Sequence, residues 1–390
     1  MLTDRKNNTA DEKEIINVID EFDYSTQSDE YNGEFRNWRK KLSNPYTYNY
    51  SKNVKEQTFV DGQGFVSTSP QDSEKEVIYR VFQILGNVLL IYLFIEIVLE
   101  KAAIAVLDCL GLNIHNSYIN NSIYGGQTEV LIILTVMTLF KYALPIFILH
   151  SKIKIPNNVR FPMDKSRKNE FFNAFSAAMI VSVISSISRA YSNQSKEIYD
   201  YFSSFSKNFQ LKGDYELIVY VIFDVVVVSI LNEILFRGDI FHALRQFGDL
   251  FAVVTTALIS TLITHDFSYM FGSFLIAMVS GIFVLRSGNF FMAIMVRIIH
   301  KLYLFGLILI ESSSNEYMFL TKGFYMSVIF AFGVIIFLVK ASVKPNELVT
   351  KKNLHTYIST AEKVKTGFHS MSMAGTVFIC VIAALWEIVL

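Results

Sequence analysis

Cysteine is nearly absent from this chain: Cys109 and Cys380 are the two in 390 residues. They are too few and too far apart for a disulfide scaffold or a thiolate metal site. Charge is scarce as well, with Asp, Glu, Lys and Arg making up 18% of the residues against about 25% in an ordinary soluble domain. The 35 basic and 35 acidic residues cancel, which removes any electrostatic argument for nucleic acid or for an acidic substrate. No basic segment followed by an apolar core opens the chain, so no cleaved signal peptide is expected and the first membrane helix must do the targeting. No His-Glu-x-x-His pattern occurs, and the hydropathy pattern lacks both the internal repeat and the paired broken helices of many transporters.

What is there is apolar. Hydrophobic residues make up 52% of the chain, with 34 Phe and 20 Tyr, and mean hydropathy is +0.36. Beyond residue 76, stretches of about 20 apolar residues recur, long enough to cross about 30 Å of hydrocarbon at about 1.5 Å per residue. Nine lie near 78–99, 129–149, 171–191, 215–235, 250–265, 268–285, 289–311, 323–340 and 371–390. The fifth and sixth are short and nearly contiguous around Asp266, so one of them is expected to be tilted or interrupted. The expected fold is all-α: a polytopic membrane helix bundle of about eight to nine transmembrane helices over 77–390, with the lipid bilayer as its first partner.

Residues 1–76 are of another kind, with 15 acidic and 10 basic side chains, a net of −5, and no run able to span a bilayer. They read as a polar, acidic, partly disordered cytoplasmic tail. Within it, Ile15, Ile16, Val18 and Ile19 predict a short helix at 11–22, and the aromatics Phe35, Trp38, Tyr46, Tyr48 and Tyr50 predict some order. Orientation follows from basic residues, which favour cytoplasmic loops. Lys152, Lys154, Arg160, Lys165, Arg167 and Lys168 mark one inner loop; Lys340, Lys344, Lys351, Lys352, Lys363 and Lys365 mark another. The N-terminus is then cytoplasmic, and the 113–127 loop lies outside.

An ionisable side chain at the centre of a membrane helix costs about 2.5–3.5 kcal/mol, so those present are retained for pairing or for function. Asp224, Asn232, Glu233 and Arg237 share the fourth stretch, His265 and Asp266 end the fifth, and Arg297, His300 and Lys301 lie in the seventh. Glu96, Glu100 and Glu387 read as interfacial charge. Glu233 and Arg237 stand at i and i+4, one helix face, where carboxylate and guanidinium neutralise each other. That pair alone is also what a purely structural salt bridge would look like. A lone membrane histidine, likewise, is commonly hydrogen-bonded to a neighbouring helix without catalytic work.

In their order, these pieces resemble the CPBP intramembrane proteases, a family that includes the type II CAAX prenyl endopeptidases and the bacterial Abi and bacteriocin self-immunity proteins. The family pattern is Glu-Glu-x-x-x-Arg, Phe-x-x-x-His and His-x-x-x-Asn on three membrane helices. Here Asn232-Glu233-x-x-x-Arg237, Thr261-x-x-x-His265 and His300-x-x-x-Leu304 take those places. Similarity runs over about 215–310, within a core of about 171–311. Asn232 replaces the first glutamate, Thr261 the phenylalanine and Leu304 the last asparagine.

The resemblance implies an integral protein of a bacterial plasma membrane, an endopeptidase that cleaves a membrane-associated protein or peptide. It implies Glu233 in place of the missing first glutamate, His265 pairing with it, His300 binding the oxyanion and Arg237 fixing Glu233, with Asn232 beside them. Two histidines and a carboxylate on three helices also have the makings of a zinc site with an open water position. A divalent metal such as zinc and a metal-free mechanism therefore both stand at this stage. So does a catalytically inactive relative that serves as a membrane scaffold, regulating a sensor kinase or peptide exporter or conferring bacteriocin immunity. The orientation is open to test: a reporter fused after Lys168 or Lys352 is expected to signal cytoplasm and one near Asn120 the outside, and the reverse pattern would invert the assignment.

Overall fold

The protein is described from a computed structural model covering residues 27–41, 43–50, 56–60, 64–117, 122–164, 168–191, 214–265, 267–312, 317–340 and 356–389. The helix expected at 11–22 lies outside these. Among the described residues, seven helices are long and apolar enough to cross a bilayer, or eight if one bent pair counts as a single span.

In chain order, α1 is Asp29–Arg39, a short hairpin pairs Glu56–Val60 with Gly64–Thr68, and α2 is the 40-residue helix Pro70–Cys109. A second small hairpin, Ile114–Ser117 with Ser122–Gly125, leads to α3, Gln127–Ile153. Then come the single turn α4, Asn157–Arg160, and α5, Lys168–Tyr191. The long helix α6 runs over 214–245, α7 is Asp249–Ile263, α8 is Phe267–Ser287 and α9 is Phe291–Ser312. Last are α10, Met318–Lys340, α11, Thr360–Phe368, and α12, Met371–Val389.

All nine apolar stretches are helical, but two of them differ from the expected crossings. The fifth is α7, whose 15 residues extend about 22 Å at 1.5 Å per residue, short of the hydrocarbon thickness. Gly248, at φ +131°, ends the preceding turn, and His265, at φ +39°, sits in the turn that stops α7. The ninth stretch is one arm of the bent pair: Thr360–Phe368 and Met371–Leu385 meet at 80°. The fifth stretch is thus the interrupted one, as expected from its shortness beside the sixth, and the expected eight to nine helices become seven or eight crossings among the described residues.

The helices pack by close approach where small residues allow it. A Cβ at Gly86 would fall on the backbone of Ser372 and Met373, which lets α2 and α12 touch. Thr376 Oγ1, on α12, donates to the Gly86 carbonyl at 3.1 Å across that contact. Helix α5 is the hub of the other half, packed against α8, α9 and α10.

Residues 27–50 are part of the folded body. Ser28 caps α1 by accepting from the Tyr31 amide at 3.3 Å; acidic Asp29 and Glu30 begin the helix and Arg36 and Arg39 end it, complementing its dipole. Tyr31, Phe35 and Trp38, at i, i+4 and i+7, form its buried stripe. Trp38 Nε1 and Asn44 Nδ2 both donate to the Ile153 carbonyl, at 3.1 and 2.8 Å, so this segment satisfies the open end of α3. Gln27 Nε2 donates to Leu285 O at 3.3 Å on α8, Arg245 Nη1 donates to Tyr31 Oη at 2.8 Å, and Gln246 exchanges two bonds of 2.9 Å with the backbone of Tyr46 and Tyr48. Because Trp38 is fully buried and carries one of these bonds, Trp38→Ala is expected to lower stability in detergent by about 3–5 kcal/mol. Unchanged thermal denaturation would show that α1 does not dock on the bundle.

Candidate active site

Helix α6 is not uniformly α-helical. It widens into π-helical turns at Phe223–Val228 and Ile234–Ile240, and α2 does the same at Ile95–Leu99. Such turns insert an extra residue and turn side chains out of the regular i, i+4 rows; they recur at functional sites. Here each lies at or directly beside a carboxylate of an apolar helix, and a cation from another helix meets it. Glu96 pairs with Lys141 of α3 at 2.7 Å, and Asp224 with Lys301 of α9 at 2.7 Å. Glu233, directly before the third π-helical turn, accepts from Arg297 Nε of α9.

Glu233 has no exposure to solvent and sits between two guanidiniums. Arg237 Nε approaches its Oε2 at 3.4 Å, close enough for attraction but not aligned as a hydrogen bond, so Oε2 has no hydrogen-bond partner. Arg237 is itself buried; its Nη2 donates to the Ala277 carbonyl of α8 and its Nη1 has no acceptor. The expected Glu233–Arg237 pair is present, then, but the closer cation is Arg297. Sequence spacing could not find it, because 64 residues separate it from Glu233; its position three residues before His300 on an apolar helix was the available signal.

The other expected site residues fall as follows. Asn232 Nδ2 donates to Tyr142 Oη at 3.1 Å, leaving Oδ1 buried without a partner. His265 Nδ1 lies 2.9 Å from the Ile263 carbonyl. That oxygen can accept and never donate, so Nδ1 holds the proton. His300 Nδ1 meets Ser182 Oγ of α5 at 3.0 Å. Asn232, Glu233 and Arg237 are thus gathered with Arg297 and Tyr142, and each histidine is anchored through Nδ1 to a group of its own.

Four polar atoms on successive turns of α6 are buried with no hydrogen-bond partner among the described residues: Ser229 Oγ, Asn232 Oδ1, Glu233 Oε2 and Arg237 Nη1. Buried polar groups are ordinarily satisfied, so this row is where water or a ligand's polar group would bind. A metal does not fit the same place. Among the described residues no three His, Cys, Asp or Glu side chains gather to hold an ion, and a divalent cation at Glu233 would face two guanidiniums. The two-histidine, one-carboxylate zinc arrangement is corrected on that ground.

Residues 214–303, which span α6 to the middle of α9, match the family model described as type II CAAX prenyl endopeptidase Rce1-like. The resemblance to CPBP proteases holds in this segment. It contains Glu233, Arg237, His265, Arg297 and His300; Tyr142 and Ser182, which touch two of the site residues, lie outside it. No curated protein and no solved structure matches the chain.

The geometry sets what Glu233→Gln does. The carboxylate is shared by two buried cations, and removing one member of a buried ionic set costs about 3–5 kcal/mol because the rest stays uncompensated. Glu233→Gln is expected to lower the melting temperature in detergent, and adding Arg297→Gln is expected to recover part of the loss, because the buried Arg237 still lacks its carboxylate. Equal melting of all three proteins would remove the charge-sharing account.

Proposed function

We propose that the protein is an intramembrane endopeptidase of the CAAX-protease type, which hydrolyses a peptide bond of a membrane-associated protein or peptide. The observation that carries this reading is the row of unsatisfied polar atoms on α6, deep in an apolar bundle and inside the segment that matches the family. Hydrolysis needs a bound water, a proton acceptor and a donor for the oxyanion, and each acts more strongly where bulk water is excluded.

In this scheme Ser229 Oγ, Asn232 Oδ1 and Glu233 Oε2 orient water. Arg237 Nη1, unpartnered and part of a set with one positive charge in excess, faces the oxyanion. A histidine, His265 or His300, takes the water's proton as the water oxygen bonds to the carbonyl carbon; it returns that proton to the amine as the C–N bond breaks. Glu233 is then an electrostatic and orienting group, its carboxylate already engaged by Arg297 and Arg237.

The alternative, a family relative that binds a membrane partner without cleaving it, draws on the same engagement of Glu233 and on the amide at Asn232, neither of which is a free base. The two are separated by incubating purified protein with a prenylated peptide ending in a Cys-aliphatic-aliphatic-X sequence and following release of the C-terminal tripeptide. Cleavage is expected, with a fall of about 10²-fold or more in the His265→Gln/His300→Gln double variant at unchanged folded yield. No cleavage by well-folded wild-type protein would leave the binding reading, and cleavage that survives the double variant would overturn the assignment of the proton acceptor to a histidine.

A further inference from the structure

The geometry points to Ser182 as a positioning residue that fixes which nitrogen of His300 carries the proton. Ser182 lies on α5, outside the family-matched segment, and both side chains are buried. Its Oγ is 2.6 Å from the Ala178 carbonyl, one turn back on the same helix, and 3.0 Å from His300 Nδ1. A carbonyl oxygen has no proton to give, so at 2.6 Å the serine hydroxyl must be the donor in that contact. The serine has one proton and has used it. Ser182 can then meet His300 only as an acceptor, and Nδ1 must be the N–H.

A neighbouring pair repeats the pattern. Ser186 Oγ donates to the Val183 carbonyl at 2.9 Å and is hydrogen-bonded to Tyr303 Oη, three residues after His300. Serines in membrane helices commonly return their proton to their own helix in this way. On α5 this makes two consecutive acceptors facing α9. A neutral imidazole with Nδ1–H has its lone pair on Nε2, and Nε2–H is absent. Neutral His300 therefore takes a proton through Nε2 and cannot donate from it to an oxyanion. On the endopeptidase reading above, neutral His300 cannot be the oxyanion donor that the family resemblance suggested; like His265, whose Nδ1 also holds the proton, it is able to accept the proton of water through Nε2, and the oxyanion is left to Arg237.

The test uses full-length protein labelled with ¹⁵N-histidine in bilayers at about pH 8.5, two units above an ordinary imidazole's titration. The His300 signals are assigned by their loss in His300→Gln. Wild type is expected to show a protonated, pyrrole-type Nδ1 and a pyridine-type Nε2; Ser182→Ala should move population to the Nε2–H form, and Ser182→Thr, which keeps an acceptor and can also bond back to its own helix, should restore wild type. In the prenylated-peptide assay Ser182→Ala should lower kcat at least about tenfold with KM little changed, as wrong-tautomer histidines do, with recovery in Ser182→Thr. An Nε2–H form in wild type, or the same tautomer in Ser182→Ala, overturns the assignment. A correct tautomer shift with unchanged kcat overturns the catalytic consequence. If wild type cleaves no peptide, the endopeptidase reading fails by itself and the spectra still decide Ser182.

Discussion

A carboxylate without contact to water cannot stay ionised in an apolar bundle unless cations reach it, and that requirement organises the centre of this protein. Glu233 draws Arg237 from its own helix and Arg297 from α9. Lys301, four residues after Arg297, meets Asp224, nine residues before Glu233 on α6, so two ionic contacts fasten α9 along α6 in antiparallel register. His300, on the intervening residues but roughly 60° around the helix from Arg297, is thereby turned toward α5 and Ser182. The hydrogen-bond geometry of the histidine follows from ionic contacts it does not share.

The π-helical turns are the backbone's side of the same constraint. A regular α-helix would keep Glu233 and Arg237 in one row with neighbours above and below. The wider turn over Ile234–Ile240 lets Arg237 reach the Ala277 carbonyl on α8 while Glu233 faces α9. Each wide turn weakens local hydrogen bonding and is held in place by the packed, charged side chains around it.

Much of this was legible in the sequence because membrane solvation writes it plainly. Apolar stretches of the right length marked each membrane-spanning helix among the described residues, and the charges within them marked α6 and α9 as the polar centre. What was not legible depended on distance or on local backbone. The Glu233–Arg297 and His300–Ser182 contacts join residues 64 and 118 positions apart, with no motif linking them. The 15-residue length of α7 and the 80° bend before α12 come from turns that hydropathy does not register. The Phe35–Tyr50 aromatics announced order, but that this segment, with Gln27, would close over the ends of α3, α6 and α8 depended on the Ile153 and Leu285 carbonyls and the Gln246 amide that the fold presents there.

That closure has a consequence for how the protein is made. Trp38 binds Ile153, Tyr31 binds Arg245 and Gln27 binds Leu285, partners 115, 214 and 258 residues further along the chain. A ribosome delivers α1 before any of these partners exists, and the last of them emerges only with the end of α8. The segment synthesised early is therefore completed late: it must wait, unprotected, through the insertion of the central helices and can dock only on a correctly assembled set. Its docking reports the integrity of helices it does not belong to, and a chain whose α3 or α6 was misplaced would present Tyr31, Phe35 and Trp38 to the cell's proteases as an exposed aromatic stripe.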